Sequence, residues 1–253
     1  MNRPPELWDD VWSDQAPVEG VRLTGEASKA HLHLVSCVMA AVPSDTRLIV
    51  DAGSGAGIAS CLVARALPEA QLLGVDLSAA AAAAGTARAP REGLGNATFV
   101  AAALDDLPVA PGTADLVFSE GLLQYVPDES AALRTMADAL RPGGRLVLAL
   151  PNKANLVFRL TVALAGHDGH GSNRLYSRRS LSALARQAGL EVESFDGYMP
   201  AYSVQRLGAF YSRHAWPISV AAVQLCRLLD ALTGDAVSRR YGFVIVLVAR
   251  KPR

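Results

Sequence analysis

One stretch constrains this chain more than any other. The apolar run Arg47–Asp51 (RLIVD) passes without a break into Asp51-Ala52-Gly53-Ser54-Gly55-Ala56-Gly57, and a helical segment follows from about Ile58 to Leu67. A short continuous apolar run reads as a strand buried on both faces. Glycines at alternate positions let the backbone turn tightly where that strand ends and let a ligand come close to it. The helix that follows presents unpaired N–H groups at its start. An ordinary glycine-rich strand-to-helix turn has the same composition, so the motif needs company. Its spacing is GxGxG, not the GxGxxG of dinucleotide-binding enzymes.

The rhythm repeats. Gln71–Asp76 (QLLGVD) precedes an Ala-rich helix from Ser78, Thr98–Ala102 is a weaker strand, and Asp115–Ser119 (DLVFS) precedes a helix from about Asp128 to Leu140. Arg145–Leu150 follows an Arg-Pro-Gly-Gly turn at 141–144. Strand and helix alternating at this pace predict βαβ crossovers and a parallel sheet with helices on both faces. Past Pro151 the pattern changes. It predicts a helix over 152–165, a Gly/His-rich loop at 166–173, a helix over Ser180–Ala188, a strand over Leu190–Phe195, one or two added helices in 203–234, and a final strand over Gly242–Arg250.

Composition narrows the function classes. The 24 basic and 24 acidic residues balance, which argues against a nucleic-acid-binding surface built on bulk charge. Cys37, Cys61 and Cys226 are an odd and scattered set, with neither a disulfide framework nor a zinc spacing. The polar start, Met1 to Asp14, lacks the apolar stretch of a signal peptide. The apolar run Trp216–Leu232 is interrupted by Gln224, Arg227 and Asp230, too short and polar to span a bilayer comfortably. A cytoplasmic location is expected. Within that run Ile218, Ala221, Ala222, Leu225, Leu228, Leu229 and Leu232 recur at helical spacing and are expected to cover the sheet or a neighbouring helix. A peripheral membrane contact or a lipid substrate is the sharper alternative.

Asp76 supplies the company that the glycine turn needs. It ends the second strand, 23 residues after Gly53, where a carboxylate can accept hydrogen bonds from both hydroxyls of a ribose. Such charge-assisted bonds contribute roughly 1.5–3 kcal/mol. The competing reading is that Asp76, followed by Leu77-Ser78, helps cap the next helix.

The ordered blocks LIVDAGSGAG, LLGVDLS, LDDLPV, ADLVFSEGLLQYVPD and LRPGGRLVLALPN, with a looser continuation through YSRRSLSALARQAGLEVE, resemble the class I S-adenosylmethionine-dependent methyltransferases, in particular the quinone-biosynthesis and small-molecule branch. The resemblance implies a Rossmann-like, doubly wound α/β fold. Its seven-stranded sheet would be mostly parallel with an antiparallel last strand, and a helical insertion would precede that strand. It implies one methyltransferase domain over 1–253: an N-terminal helical cap (1–44), a cofactor-binding core (45–150), an acceptor-side region (151–241) holding the insert 203–234, and the final strand (242–253). S-adenosyl-L-methionine is the implied cofactor. By the same resemblance Asp51 and the backbone of Ala52, Gly53 and Gly55, in the turn that Gly57 completes, would surround the methionine moiety. Asp76 would hold the ribose, Leu77 would line an adenine face, and Leu104 would offer adenine a backbone N–H. Ser119 and Glu120 would lie beneath the sulfonium, with Gln124 and Tyr125 nearby. Two positions depart from the family. Ala103 stands where an acidic residue usually binds the adenine amino group, leaving Asp105 to take over or the bond missing. Gln124-Tyr125 stand where relatives often carry histidine.

A sulfonium is already a good leaving group, so holding the acceptor in line can supply about 7–11 kcal/mol. A hydroxyl acceptor would also gain from a general base. Candidates are Glu120 and, in the Gly-rich loop, His167 and His170; the His167-Asp168-Gly-His170 cluster has no evident third ligand, so no metal is expected. Tyr198, Tyr202, Tyr211 and Trp216 read either as an apolar acceptor pocket or as core. Trp8 and Trp12 read as an N-terminal helix folding over the cleft or as a simple anchor. The expected function is methyl transfer to a small, hydrophobic or glycosylated metabolite, on oxygen before other atoms. The alternatives are an NAD(P)-dependent oxidoreductase, against which stand the GxGxG spacing and the absence of a Tyr-x-x-x-Lys pair, and a non-catalytic cofactor-binding domain.

Overall fold

The computed structural model describes residues 8–9, 26–166, 172–198, 224–225, 228, 231–233 and 235–253. Seven strands form one sheet in the order β3-β2-β1-β4-β5-β7-β6. They are β1 (Leu48–Ala52), β2 (Gln71–Asp76), β3 (Ala97–Ala101), β4 (Ala114–Glu120), β5 (Leu140–Pro151), β6 (Glu191–Tyr198) and β7 (Val244–Arg250). The first five pair parallel, while β7 runs antiparallel to both β5 and β6. This is the Rossmann-like sheet that the resemblance implies. The helices among the described residues are α1 (Glu26–Ala41), α2 (Ile58–Ala66), α3 (Ala79–Arg91), α4 (Glu129–Ala139), α5 (Leu156–Ala165), α6 (Arg178–Gln187) and α7 (Ala236–Tyr241).

Both faces of the sheet are covered, which explains the unbroken apolar runs. On one face Val50, Val117, Leu146 and Leu148 pack with Leu133 and Met136 of α4 and Leu181 and Ala185 of α6. On the other, Ile49, Phe118 and Val147 pack with Leu34 and Val38 of α1 and Ala59 and Val63 of α2. Successive residues thus enter opposite cores. Asp115 pins the start of β1 by accepting N–H bonds from Arg47 and Leu48, at 2.7 and 2.8 Å, while Arg141 pairs with its other oxygen.

Several boundaries differ from the sequence expectation. The Arg-Pro-Gly-Gly segment is not a separate turn but lies within β5, whose pairing with β4 shifts register between Ala114 and Leu116. Gly144 passes so close to backbone that an added Cβ would sit 2.9 Å from the Arg141 carbonyl oxygen. The expected helix from 152 starts only at Leu156. Asn152 instead folds inward, its amide donating to the carbonyls of Arg240 and Gly242, and Asn155 caps the helix. The helix expected from Ser180 starts at Arg178, because Ser177 and Ser180 form a reciprocal cap. The insert 203–234 lies largely outside the described residues. Where it is described, the apolar stripe does not cover the sheet or a neighbouring helix: Leu225, Leu228 and Leu232 are 56%, 57% and 74% exposed. Helical spacing marks a shared face but does not say what that face meets. Among the described residues no helix is long and apolar enough to cross a membrane.

Candidate active site

The strand order reverses between β1 and β4, and a crevice outside the carboxyl ends of the strands at such a point is where open α/β sheets bind ligands. The glycine turn leaves β1 there. Gly53, Gly55 and Gly57 have φ of 80°, 51° and 73°, left-handed values that side-chain-bearing residues rarely adopt. A Cβ on Gly57 would lie 2.6 Å from the Phe99 ring. The turn is held by its own amides: Gly53 and Ser54 donate to the Val75 carbonyl, at 2.7 and 3.0 Å, and Gly57 donates to Ser54. Among the described residues no side chain caps the start of α2.

Asp76 is brought to this turn. Its Oδ2 accepts the Gly55 N–H at 2.8 Å and its Oδ1 accepts the Ser78 N–H at 2.9 Å. The Ser78 bond fits the capping reading of Asp76, although the helix cap proper is the Ser78 hydroxyl, which accepts from Ala81. Burial raises the Asp76 pKa and these N–H bonds partly offset it. Leu77, beside it, is 40% exposed.

The ends of β1 and β4 are joined where Ser119 Oγ donates to the Ala52 carbonyl at 2.6 Å. Asp51 is 3% exposed, and its carboxylate accepts the hydroxyl of Ser60 on α2. Burial first, and then the charges of Glu120 and Asp76, push its pKa up to about 7 against the Ser60 bond and the His31 charge. Glu120 lies at the tip of β4. One of its oxygens meets His31 Nδ1 at 3.2 Å and the other accepts the Tyr198 hydroxyl at 3.0 Å. Burial depresses the His31 pKa, yet the bond and charge of Glu120, with the charge of Asp51 behind them, outweigh it and raise it. Tyr198 is fully buried, and its hydroxyl is held protonated by burial and the neighbouring Glu120.

Past β3, Leu104 opens a short 3₁₀ turn and is half-buried against the core, whereas Asp105 in the same turn is exposed. Trp8 packs edge-on against Tyr125 at 5.0 Å, and Asp9 accepts bonds from the Ser78 hydroxyl and the Ala80 N–H. Trp8 and Asp9 therefore touch the segments that follow β4 and β2. Trp12, His167, His170, Tyr202, Tyr211 and Trp216 lie outside the described residues. Sequence reasoning missed His31 altogether. It lies 89 residues from Glu120, and no local pattern marks it.

The residues present fit the S-adenosylmethionine that the resemblance implies. Asp51, Asp76 and Glu120 gather negative charge that complements a sulfonium and an ammonium. Ser54 Oγ, in the glycine turn, and Gln124 Oε1, after β4, are buried with no hydrogen-bond partner among the described residues, a cost that a polar ligand would relieve. A separate hollow of about 540 Å³, bordered by Arg65, Gln71, Glu92 and Asn96, lies at the opposite, amino-terminal end of β2 and carries none of these groups.

Comparison with known proteins supports the methyltransferase resemblance. Residues 49–144 match the family described as methyltransferase domain. A trans-aconitate 2-methyltransferase of Methylobacterium radiotolerans is 32% identical over 156 residues, covering 60% of this chain and 56% of that protein. A ubiquinone biosynthesis O-methyltransferase of Xanthomonas euvesicatoria is 28% identical over 159 residues, covering 60% of this chain and 65% of that one. The chain thus spans less than two thirds of the length of these relatives. Among solved structures, the geranyl diphosphate C-methyltransferase of Streptomyces coelicolor, in complex with Mg²⁺, geranyl diphosphate and S-adenosyl-L-homocysteine, superposes with a TM-score of 0.66 at 18% identity, over 98% of both chains. At that identity the likeness speaks for the fold.

Proposed function

We propose that the chain, whose residues 49–144 match the methyltransferase domain family, is a class I S-adenosylmethionine-dependent enzyme that transfers a methyl group from S-adenosyl-L-methionine to a small hydrophobic or glycosylated metabolite, on oxygen. The observation that carries this reading is the convergence of Asp76 on the glycine turn, at the reversal point of the sheet, with Asp51 and Glu120 beside it. The cofactor, when bound, supplies an activated methyl group. The chain's own residues then have three tasks. Asp76 and Leu77 would hold the nucleoside, the turn Gly53–Gly57 would receive the methionine part, and Ser119 and Glu120 would border the reacting end. The Gly-rich loop with His167, and Asp105 as an adenine contact, stay in the proposal as further candidates. Orientation of the acceptor supplies most of the rate.

Calorimetric titration tests the reading. S-adenosylhomocysteine should bind at micromolar levels, and NADH should not. Tight NADH binding with no response to S-adenosylhomocysteine would favour an oxidoreductase, against which the GxGxG spacing already stands. Binding with no turnover on any acceptor would favour a non-catalytic domain.

A further inference from the structure

The crevice contains an arrangement that the cofactor does not require. His31, on α1, Glu120, at the tip of β4, and Tyr198, on β6, come from three separate elements and meet at one carboxylate. Glu120 receives the Tyr198 hydroxyl on Oε1, which fixes the carboxylate, and faces His31 Nδ1 with Oε2. A neutral imidazole carries one N–H. A carboxylate at Nδ1 draws that N–H to itself, and Nε2 is left as the acceptor. Among the described residues Nε2 takes no hydrogen bond, and the His31 side chain is 27% exposed, so the ring is open on one side.

Resting on the methyl-transfer reading above, we propose that His31 is the general base for a neutral, hydroxyl-bearing acceptor, with Glu120 orienting its ring and Tyr198 holding Glu120. In the step this implies, the acceptor O–H bond breaks and its proton goes to Nε2. The oxygen forms a bond to the methyl carbon as the carbon–sulfur bond breaks, and that electron pair stays on sulfur.

The charges around the ring narrow the substrate class. Glu120 from β4 and Asp51 from β1 face it with negative charge, and Arg88 from α3 is the opposing cation. Arg88 is already engaged, its Nε on the Ala56 carbonyl and its Nη1 on Glu92. A carboxylate acceptor would meet repulsion here and has no proton to give up. A phenol, enol or sugar hydroxyl uses both features.

The test uses the full chain saturated with S-adenosylhomocysteine. Long-range proton–nitrogen spectra of the histidine rings, with His31 assigned by its disappearance in His31→Gln, should show the Nδ1–H tautomer. Its protonation midpoint should lie above the ordinary 6.5 and fall by about one pH unit or more in Glu120→Gln. An Nε2–H tautomer, or a midpoint at or below 6.5, would overturn the assignment whether or not any acceptor is turned over. His31→Gln should still bind S-adenosylhomocysteine within about threefold of wild type. Loss of binding in the wild type itself would sink the cofactor reading instead, so the two failures are distinguishable. With catechol and trans-aconitate as neutral and anionic acceptor probes, His31→Gln should lower turnover of catechol about 100-fold or more. Turnover of catechol that is indifferent to His31→Gln, or preferred turnover of trans-aconitate over catechol, would also overturn the proposal.

Discussion

The carboxylate of Asp76 and the backbone N–H of Gly55 meet at 2.8 Å, tying the tip of β2 to the glycine turn that leaves β1. That single bond sets the carboxylate at the edge where a ribose would lie, and it leaves further lone pairs on both oxygens. Removing the side chain removes the anchor and frees the turn. Asp76→Ala should weaken S-adenosylhomocysteine binding tenfold or more, in keeping with roughly 1.5–3 kcal/mol for charge-assisted bonds. Calorimetry reads this directly, and wild-type affinity in the variant would show that the carboxylate does not touch the ligand.

Gly55 allows a second, independent check. Its φ of 51° lies in the left-handed region, where a β-branched side chain is strained. Gly55→Val should abolish cofactor binding while circular dichroism still reports a folded α/β protein. Retained affinity would mean that the loop does not approach the ligand.

A third prediction concerns the socket behind the turn, where Gly57, Gly74 and Gly85 enclose the Phe99 ring. Gly85 lies inside α3, and replacing an internal helix glycine by alanine ordinarily stabilises by about 1 kcal/mol. Here the new Cβ would lie 2.5 Å from the ring. Gly85→Ala should therefore destabilise by about 1–3 kcal/mol. In a Phe99→Leu background the sign should reverse or the penalty shrink, which urea denaturation of the wild type, the two single variants and the double variant would measure.

The N-terminal segment makes a contact that can be probed from the ligand side. Trp8 lies edge-on to Tyr125, and Asp9 reaches the start of α3, so these two residues touch the segments that follow β4 and β2. An aromatic pair of this kind contributes about 0.5–1.5 kcal/mol beyond its buried area. Trp8→Ala should lower S-adenosylhomocysteine affinity roughly 3- to 10-fold and leave the thermal midpoint nearly unchanged. A large drop in the midpoint with intact affinity would make Trp8 an anchor of the core instead.

What the sequence made legible was local. The glycine turn, the strand-end carboxylate and the alternation of apolar runs each lie within a few residues of the structure they cause, and the sheet follows from their order. The Pro-Gly-Gly segment misled because a turn and a register shift inside a strand use the same residues. The exposed Leu225, Leu228 and Leu232 of the apolar stripe were not foreseen, because periodicity records a face and not its partner. The unpartnered burial of Ser54 Oγ and Gln124 Oε1 carried no signal either, since it exists only in three dimensions. The His31–Glu120–Tyr198 cluster was invisible for the same reason: α1, β4 and β6 meet only after the sheet has closed around β7.

Asp51 raises the question of why a buried carboxylate is kept at all. Its pKa is pushed up to about 7 by burial, so between the unfolded value near 3.8 and about 7 the folded state binds the extra proton. Stability must therefore fall as pH rises through that window, and above it the ionised, desolvated group costs on the order of 2–4 kcal/mol. Asp51→Asn removes the charge and still accepts the Ser60 hydroxyl, so the variant should be more stable than wild type at pH 8 and about equal to it below pH 4. Thermal denaturation at several pH values measures the window. In the proposed reading the charge has a compensating use, because a cationic sulfonium beside Asp51 and Glu120 would be stabilised by it. Asp51→Asn should accordingly lower affinity for S-adenosylmethionine about tenfold, and by less for S-adenosylhomocysteine, whose sulfur is neutral. Equal losses for the two ligands would show that Asp51 serves the methionine backbone rather than the sulfonium.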